Sequence, residues 1–285
     1  MAKFTRAIGR LLWTAGFALA LTALASGIWS GLLVANLAQT PAIPGAAVAM
    51  AVVTWAGLAF FGGKGGPAGT RIARRNLLRA RPLSFPLFAA TVCAGVLCLV
   101  ALAGFWLVLG QVVRVPANRV PDFSHYPLLT VGATLVMAAI SGAVSEEAGF
   151  RGYFQGTLET HLPGPVAIFI CALVMAPVHA LTQGFVWPTL LFYLAVDAML
   201  GVSAWLTKSI LPGIVTHAIG LFAFFAFIWP HDSERMLIWQ NGPDPWFRIH
   251  VAQTLVFAAL GIWAFARIAR RVPAHPSSNV NETEE

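Results

Sequence analysis

The feature that most constrains this chain is a succession of long apolar runs, each about the length of a membrane crossing and separated by short polar stretches. A spanning helix takes about 20 mostly apolar residues, because every backbone N–H and C=O must be satisfied within the segment. Eight such spans are readable, at about 11 to 36, 43 to 62, 85 to 113, 127 to 144, 165 to 182, 186 to 206, 210 to 229 and 249 to 268. With 58% hydrophobic and only 10% charged residues, the composition argues against an ordinary water-soluble domain. The expected fold is all-α, a polytopic transmembrane helical bundle. It forms one domain over residues 1–272, followed by a polar, disordered tail over 273–285.

The formal net charge of +7 raises nucleic acid as a partner, but the basic residues fall between apolar runs, where they set topology instead. The stretch from Gly62 to Pro82 carries Lys64, Arg71, Arg74, Arg75, Arg79 and Arg81 and no acidic residue, which places that loop in the cytoplasm. Threading eight spans from it puts Lys3, Arg6, Arg10, Arg151, Lys208, Arg267, Arg270 and Arg271 on the same side. Arg114, Arg119, Arg235 and Arg248 fall outside, and both termini are cytoplasmic. The expected location is a bacterial plasma membrane, with the lipid bilayer as a partner and no nucleic acid.

Several local signals read as structural. Lys3, Arg6 and Arg10 before an apolar stretch and Ala23-Leu24-Ala25 resemble a signal peptide, but apolar sequence continues to Leu37 and favours a retained helix. Gly62-Gly63-Lys64-Gly65-Gly66 lacks the spacing and the preceding strand of a phosphate loop. Cys93, Cys98 and Cys171 all sit inside apolar runs, which argues against a disulfide framework. Trp229, Trp239 and Trp246 read as interfacial anchors around the largest external loop. The sequon Asn281-Glu282-Thr283 falls on the cytoplasmic tail.

The chemistry concentrates at the end of the fourth span, in Ser145-Glu146-Glu147-Ala148-Gly149-Phe150-Arg151-Gly152. On a helix Glu147 and Arg151 stand four residues apart and can pair, while Glu146 points about 100° away and is free to face another helix. These charges by themselves are also what a plain helix end at the bilayer interface looks like. His179 in the fifth span and His217 in the seventh tip the balance, since imidazoles at membrane depth are costly and face a bundle interior or a cavity. By depth His179 is the awkward member unless its helix is kinked, and Pro177 two residues earlier supplies a cause.

Over roughly Pro127 to Leu221 the chain resembles the CAAX protease and bacteriocin-processing family of intramembrane proteases, which includes many bacterial abortive-infection proteins. The family's first motif, a glutamate pair, three variable residues and an arginine, is matched by Glu146, Glu147 and Arg151 and extended by Gly152 and Tyr153. His179 matches the end of the second motif, and His217 opens the third after Thr207, Ser209 and Pro212. The protease-like core would then cover about 127–230. The resemblance implies an endopeptidase acting on a membrane-associated protein or peptide. Glu146 would be the general base, His179 would help hold the water and His217 would stabilise the oxyanion. Glu147 and Arg151 would fix the site.

Three departures fall where these motifs are most specific. Met175 replaces a phenylalanine four residues before the second-motif histidine, a substitution that packing tolerates. Leu221 replaces a polar residue four after His217, and leucine cannot donate a hydrogen bond. A lost oxyanion donor of this kind implies a slower enzyme or a rearranged hole. Asp197 stands in the sixth span where a small residue is usual, either compensating a charge or lining a polar cavity.

Other readings remain open at this point. Glu146, His179 and His217 could bind Zn²⁺ with water in a fourth position, although no H-E-x-x-H spacing is present; otherwise no cofactor is required. A non-catalytic scaffold of the same fold accounts for Leu221. A proton-coupled transporter would use Asp197, His179 and His217 as a relay, but no inverted repeat is visible in the two halves.

Overall fold

Proline opens or nearly opens five of the long helices, at Pro86, Pro165, Pro188, Pro212 and Pro245, where its missing N–H costs nothing. The computed structural model describes residues 2–115, 123–230 and 236–272, and among them there are helices and links but no strand. The helices are α1 (Ala2–Leu37), α2 (Gly45–Phe61), α3 (Arg71–Leu78), α4 (Phe85–Val112) and α5 (Leu128–Leu158). They continue with α6 (Gly164–Gln183), α7 (Trp187–Thr207), α8 (Leu211–Ile228), the single turn α9 (Ile238–Asn241) and α10 (Pro245–Arg271).

Seven of these are long and apolar enough to cross a membrane, and α2, with 17 apolar-rich residues, makes an eighth candidate. Outward faces of the bundle carry Val34, Trp55, Leu255 and Ile262, all more than half exposed, as contact with lipid requires. The chain is thus an all-α, polytopic bundle of the size expected.

Helix α5 is the central post. Its first half packs on α1, α2 and α8, and its second half on α1, α3, α6 and α7. On one side Trp106 of α4, Phe192 of α7 and Phe224 of α8 interlock, with the Trp106 and Phe192 rings 4.8 Å apart at 60°. On the other side Phe150 and Phe154 of α5 bury against Ala18 of α1 and Met175 of α6. Edge-to-face aromatic packing of this kind adds about 0.5–1.5 kcal/mol per pair beyond the area buried. Met175 is fully buried here, in the packing role expected of it.

Three expectations need correction. The fourth span does not stop near residue 144 but runs on to Leu158, because its charges find partners inside the bundle and no longer mark an end. Arg151 is accordingly no topology charge: it is fully buried. Trp229 is half-buried, against Phe224 and Phe225, whereas Trp239 and Trp246 are well exposed as anchors should be. The tail, its sequon, Arg119 and Arg235 lie outside the described residues.

Candidate active site

Over Glu147–Phe154 the hydrogen-bond repeat of α5 widens to a π-helical turn. Widening leaves carbonyls that need other donors, and neighbouring groups supply them. The Cys171 thiol reaches Phe150 O at 3.5 Å, the Arg79 guanidinium donates to Arg151 O at 3.3 Å, and the Thr157 hydroxyl donates to Tyr153 O at 2.7 Å. The turn also demands a close neighbour. A Cβ on Gly152 would lie 2.9 Å from Leu78 O, so glycine lets the end of α3 pack directly on the widened backbone.

At the start of this turn the two adjacent carboxylates approach different nitrogens of His217 and otherwise face different partners. Glu146 Oε2 lies 3.8 Å from Nε2 of His179 on α6 and 3.6 Å from Nε2 of His217 on α8. Glu147 is fully buried, with Oε1 3.1 Å from Nδ1 of the same His217 and 3.5 Å from Nη1 of Arg151. Arg151 then donates through Nη2 to the Asp197 carboxylate on α7 and, at 3.4 Å, to the Asp197 carbonyl. When Glu147 is ionised it can only accept, which places a proton of His217 at Nδ1 and turns Nε2 toward Glu146.

The structure therefore brings together every residue singled out from the sequence: Glu146, His179 and His217 as one group, with Glu147, Arg151 and Asp197 as a buried chain behind it. The depth objection to His179 disappears, because α5 continues past Glu146 and the carboxylate lies within a span, not at its end. Pro177 stands inside α6, where it removes the N–H that Leu173 O would accept. Asp197 compensates Arg151 and does not line the cavity beside the imidazoles.

That cavity is small, about 40 Å³, and mostly apolar. His179, His217, Leu221, Tyr193 and Trp229 are among its walls. Its volume admits one water molecule beside the polar atoms. Leu221, one helical turn after His217, presents a hydrocarbon wall to it, and the buried Trp229 indole N–H has no acceptor.

Three contributors escaped the sequence reading. Tyr193 of α7 stacks flat on His179, with ring centroids 4.0 Å apart and planes 15° off parallel. Its hydroxyl donates to Gln183 Oε1 at 2.5 Å, so Tyr193 and Gln183 together fix the imidazole's plane. Gly213 of α8 gives the Glu147 carboxylate its room. None of the three belongs to a motif or breaks a local pattern, and their role exists only through contacts between helices.

Among the described residues no three His, Cys, Asp or Glu side chains are grouped so as to hold a metal ion. Glu146, His179 and His217, proposed from sequence as a zinc set, stand with Glu146 Oε2 3.8 and 3.6 Å from the two imidazole Nε2 atoms.

Residues 128–223 match the family model described as type II CAAX prenyl endopeptidase, Rce1-like. This stretch holds all six of the residues named above, and the resemblance read from the sequence stands over it. No curated protein and no solved structure gives a significant match to the chain. The fold and the match define a polytopic helical membrane protein whose central third is similar to a family of membrane endopeptidases.

Proposed function

We propose that this protein is an intramembrane endopeptidase that hydrolyses a peptide bond of a membrane-associated protein or peptide. The observation that carries the proposal is the convergence of Glu146, His179 and His217 from three different helices, with the two imidazoles lining a cavity that admits one water. The match of this stretch to a CAAX endopeptidase family supports it.

Water held between Glu146 Oε2 and His179 Nε2 gives a proton to the Glu146 carboxylate as its oxygen attacks the scissile carbonyl carbon. The developing oxyanion is met by His217, whose Nδ1 is committed to Glu147, so it donates from Nε2 only as the imidazolium. Glu146 then returns the proton to the leaving amine. Glu147 and Arg151 act behind the site, by holding His217, while Asp197 keeps Arg151 in place. No step is routed through a metal.

The test is cleavage of a tagged membrane-peptide library by the purified full chain in lipid nanodiscs, comparing wild type with Glu146→Ala, each with and without chelator. Loss of products in Glu146→Ala, with unchanged thermal unfolding, is expected. Equal cleavage by both would overturn the proposal, and loss on chelation would bring a metal into it.

One observation favours a second reading, a non-catalytic scaffold of the same fold: one turn after His217 the cavity wall carries the hydrocarbon side chain of Leu221, which cannot donate a hydrogen bond. A cellular phenotype that survives Glu146→Ala but fails with Arg151→Ala would select this reading.

A further inference from the structure

A second hollow lies away from the imidazoles: an open cavity of about 600 Å³, within the range of small-ligand sites, bordered by α1, α3, the α3–α4 link and the end of α5. Four cationic side chains line it, Arg10, Arg79, Arg81 and Lys208, against a single carboxylate, Glu159.

That carboxylate is already committed. Arg79 donates to both of its oxygens, at 3.3 and 3.2 Å, and Lys208 Nζ donates to Oε2 at 2.7 Å. Arg10 and Arg81 have no acidic partner among the described residues, and both are exposed. The cavity is thus a concave wall of uncompensated positive charge. The link that carries Arg79 and Arg81 is held in place. Arg79 adopts the left-handed conformation at φ 57°, held by the N–H of Ile210 on its carbonyl, and the Ser209 hydroxyl donates to Arg81 O at 2.7 Å.

From this we infer that the cavity binds a phosphate-bearing anion, with Arg10 and Arg81 as its ligands, and that the phosphate is that of an anionic phospholipid headgroup. Guanidinium groups suit phosphate because they present paired N–H donors in a planar fork. A membrane source is favoured by Trp13, which lines the same cavity, is 58% exposed and follows Arg10 by three residues on a membrane-crossing helix. An amphipathic ring beside a cation is what the headgroup level of a bilayer selects. The inference is independent of the proteolytic reading, since none of its ligands belongs to the Glu146 site.

The experiment is native mass spectrometry of the purified full chain titrated with phosphatidylglycerol, phosphatidylcholine or soluble glycerol phosphate. Three variants are compared: Arg10→Gln/Arg81→Gln, Arg10→Lys/Arg81→Lys, and Arg75→Gln, which removes an exposed cation that does not line the cavity. The expected result is retention of phosphatidylglycerol over phosphatidylcholine, weakened about twenty-five-fold in the double glutamine variant, from roughly fivefold for each cation lost. Arg75→Gln should change it less than twofold, and the double lysine variant should fall between. Equal weakening by Arg75→Gln would mean only diffuse attraction and would overturn the site, as would retention unchanged in the double glutamine variant. Glycerol phosphate competing at equal concentration would keep the phosphate site but overturn its assignment to lipid.

Discussion

Gly213 lies in the first turn of α8, facing Glu147. A methyl group added there would stand 2.5 Å from Glu147 Oε2 and 3.3 Å from its Cδ, where ordinary contact needs about 3.5 Å. The carboxylate would have to retreat by about 1 Å, and its other oxygen is tied at 3.1 Å to His217 Nδ1 and at 3.5 Å to Arg151. Displacing α8 is no escape, because His217 is on that helix one turn further along. Gly213→Ala should therefore cost about 1–3 kcal/mol of stability as an overpacked core position. It should lower kcat about a hundredfold, the usual effect of a 1 Å misplacement. Combining it with Glu147→Asp, which withdraws the carboxylate by one methylene, should restore part of the lost stability. Thermal unfolding in detergent and cleavage of the best library peptide measure the two effects. Wild-type values for Gly213→Ala, or no recovery in the double variant, would refute the reasoning.

Leu221→Asn places an amide one turn after His217 in the cavity wall and should raise kcat about a hundredfold, the worth of one oxyanion donor; an unchanged kcat in a folded variant would count against His217 as the oxyanion group. Asp197→Leu leaves Arg151 with only Glu147 for a charge partner and should destabilise the protein by about 3–5 kcal/mol, read as a lowered midpoint of unfolding. Glu159 is pushed up by burial but pulled further down by Arg79 and Lys208, so its folded pKa lies below the usual carboxylate range. Its contribution to stability is present above the unfolded value of about 4.3 and is lost as pH falls through the folded value; Glu159→Gln should flatten the unfolding midpoint over that acidic window.

What the sequence revealed and what it hid divide along a physical line. The apolar runs gave the spans, because bilayer thickness sets helix length whatever the packing. The divergent directions of Glu146 and Glu147 followed from helical angle alone, and the structure shows Glu146 near Nε2 of both imidazoles and Glu147 on Arg151, but also on Nδ1 of His217. The end of α5 was misplaced because charges were read as exposed, whereas Asp197, far along the chain, neutralises Arg151 within the bundle. Tyr193, Gln183 and Gly213 were invisible for the same reason: their work depends on which helices become neighbours, and no local period encodes that. Trp229 fitted the composition of an interfacial belt, but at the end of α8 it packs on Phe224 and Phe225.

The buried cluster also sets a condition on its own protons. Glu146, Glu147 and Asp197 could carry three negative charges against the one fixed positive charge of Arg151, so neutrality calls for two protons shared among the carboxylates and the imidazoles of His179 and His217. Charges at membrane depth are tolerated when they are paired in this way. Without Asp197 the count would fall to one. The extra carboxylate therefore does more than brace Arg151: it obliges the site to hold one more proton, next to the group that must return a proton to the leaving amine. Asp197→Asn, which keeps the shape and removes the charge, should consequently release one fewer proton than wild type when the protein is titrated to high pH. Loss of stability alone, with an unchanged proton count, would reduce Asp197 to a structural partner of Arg151.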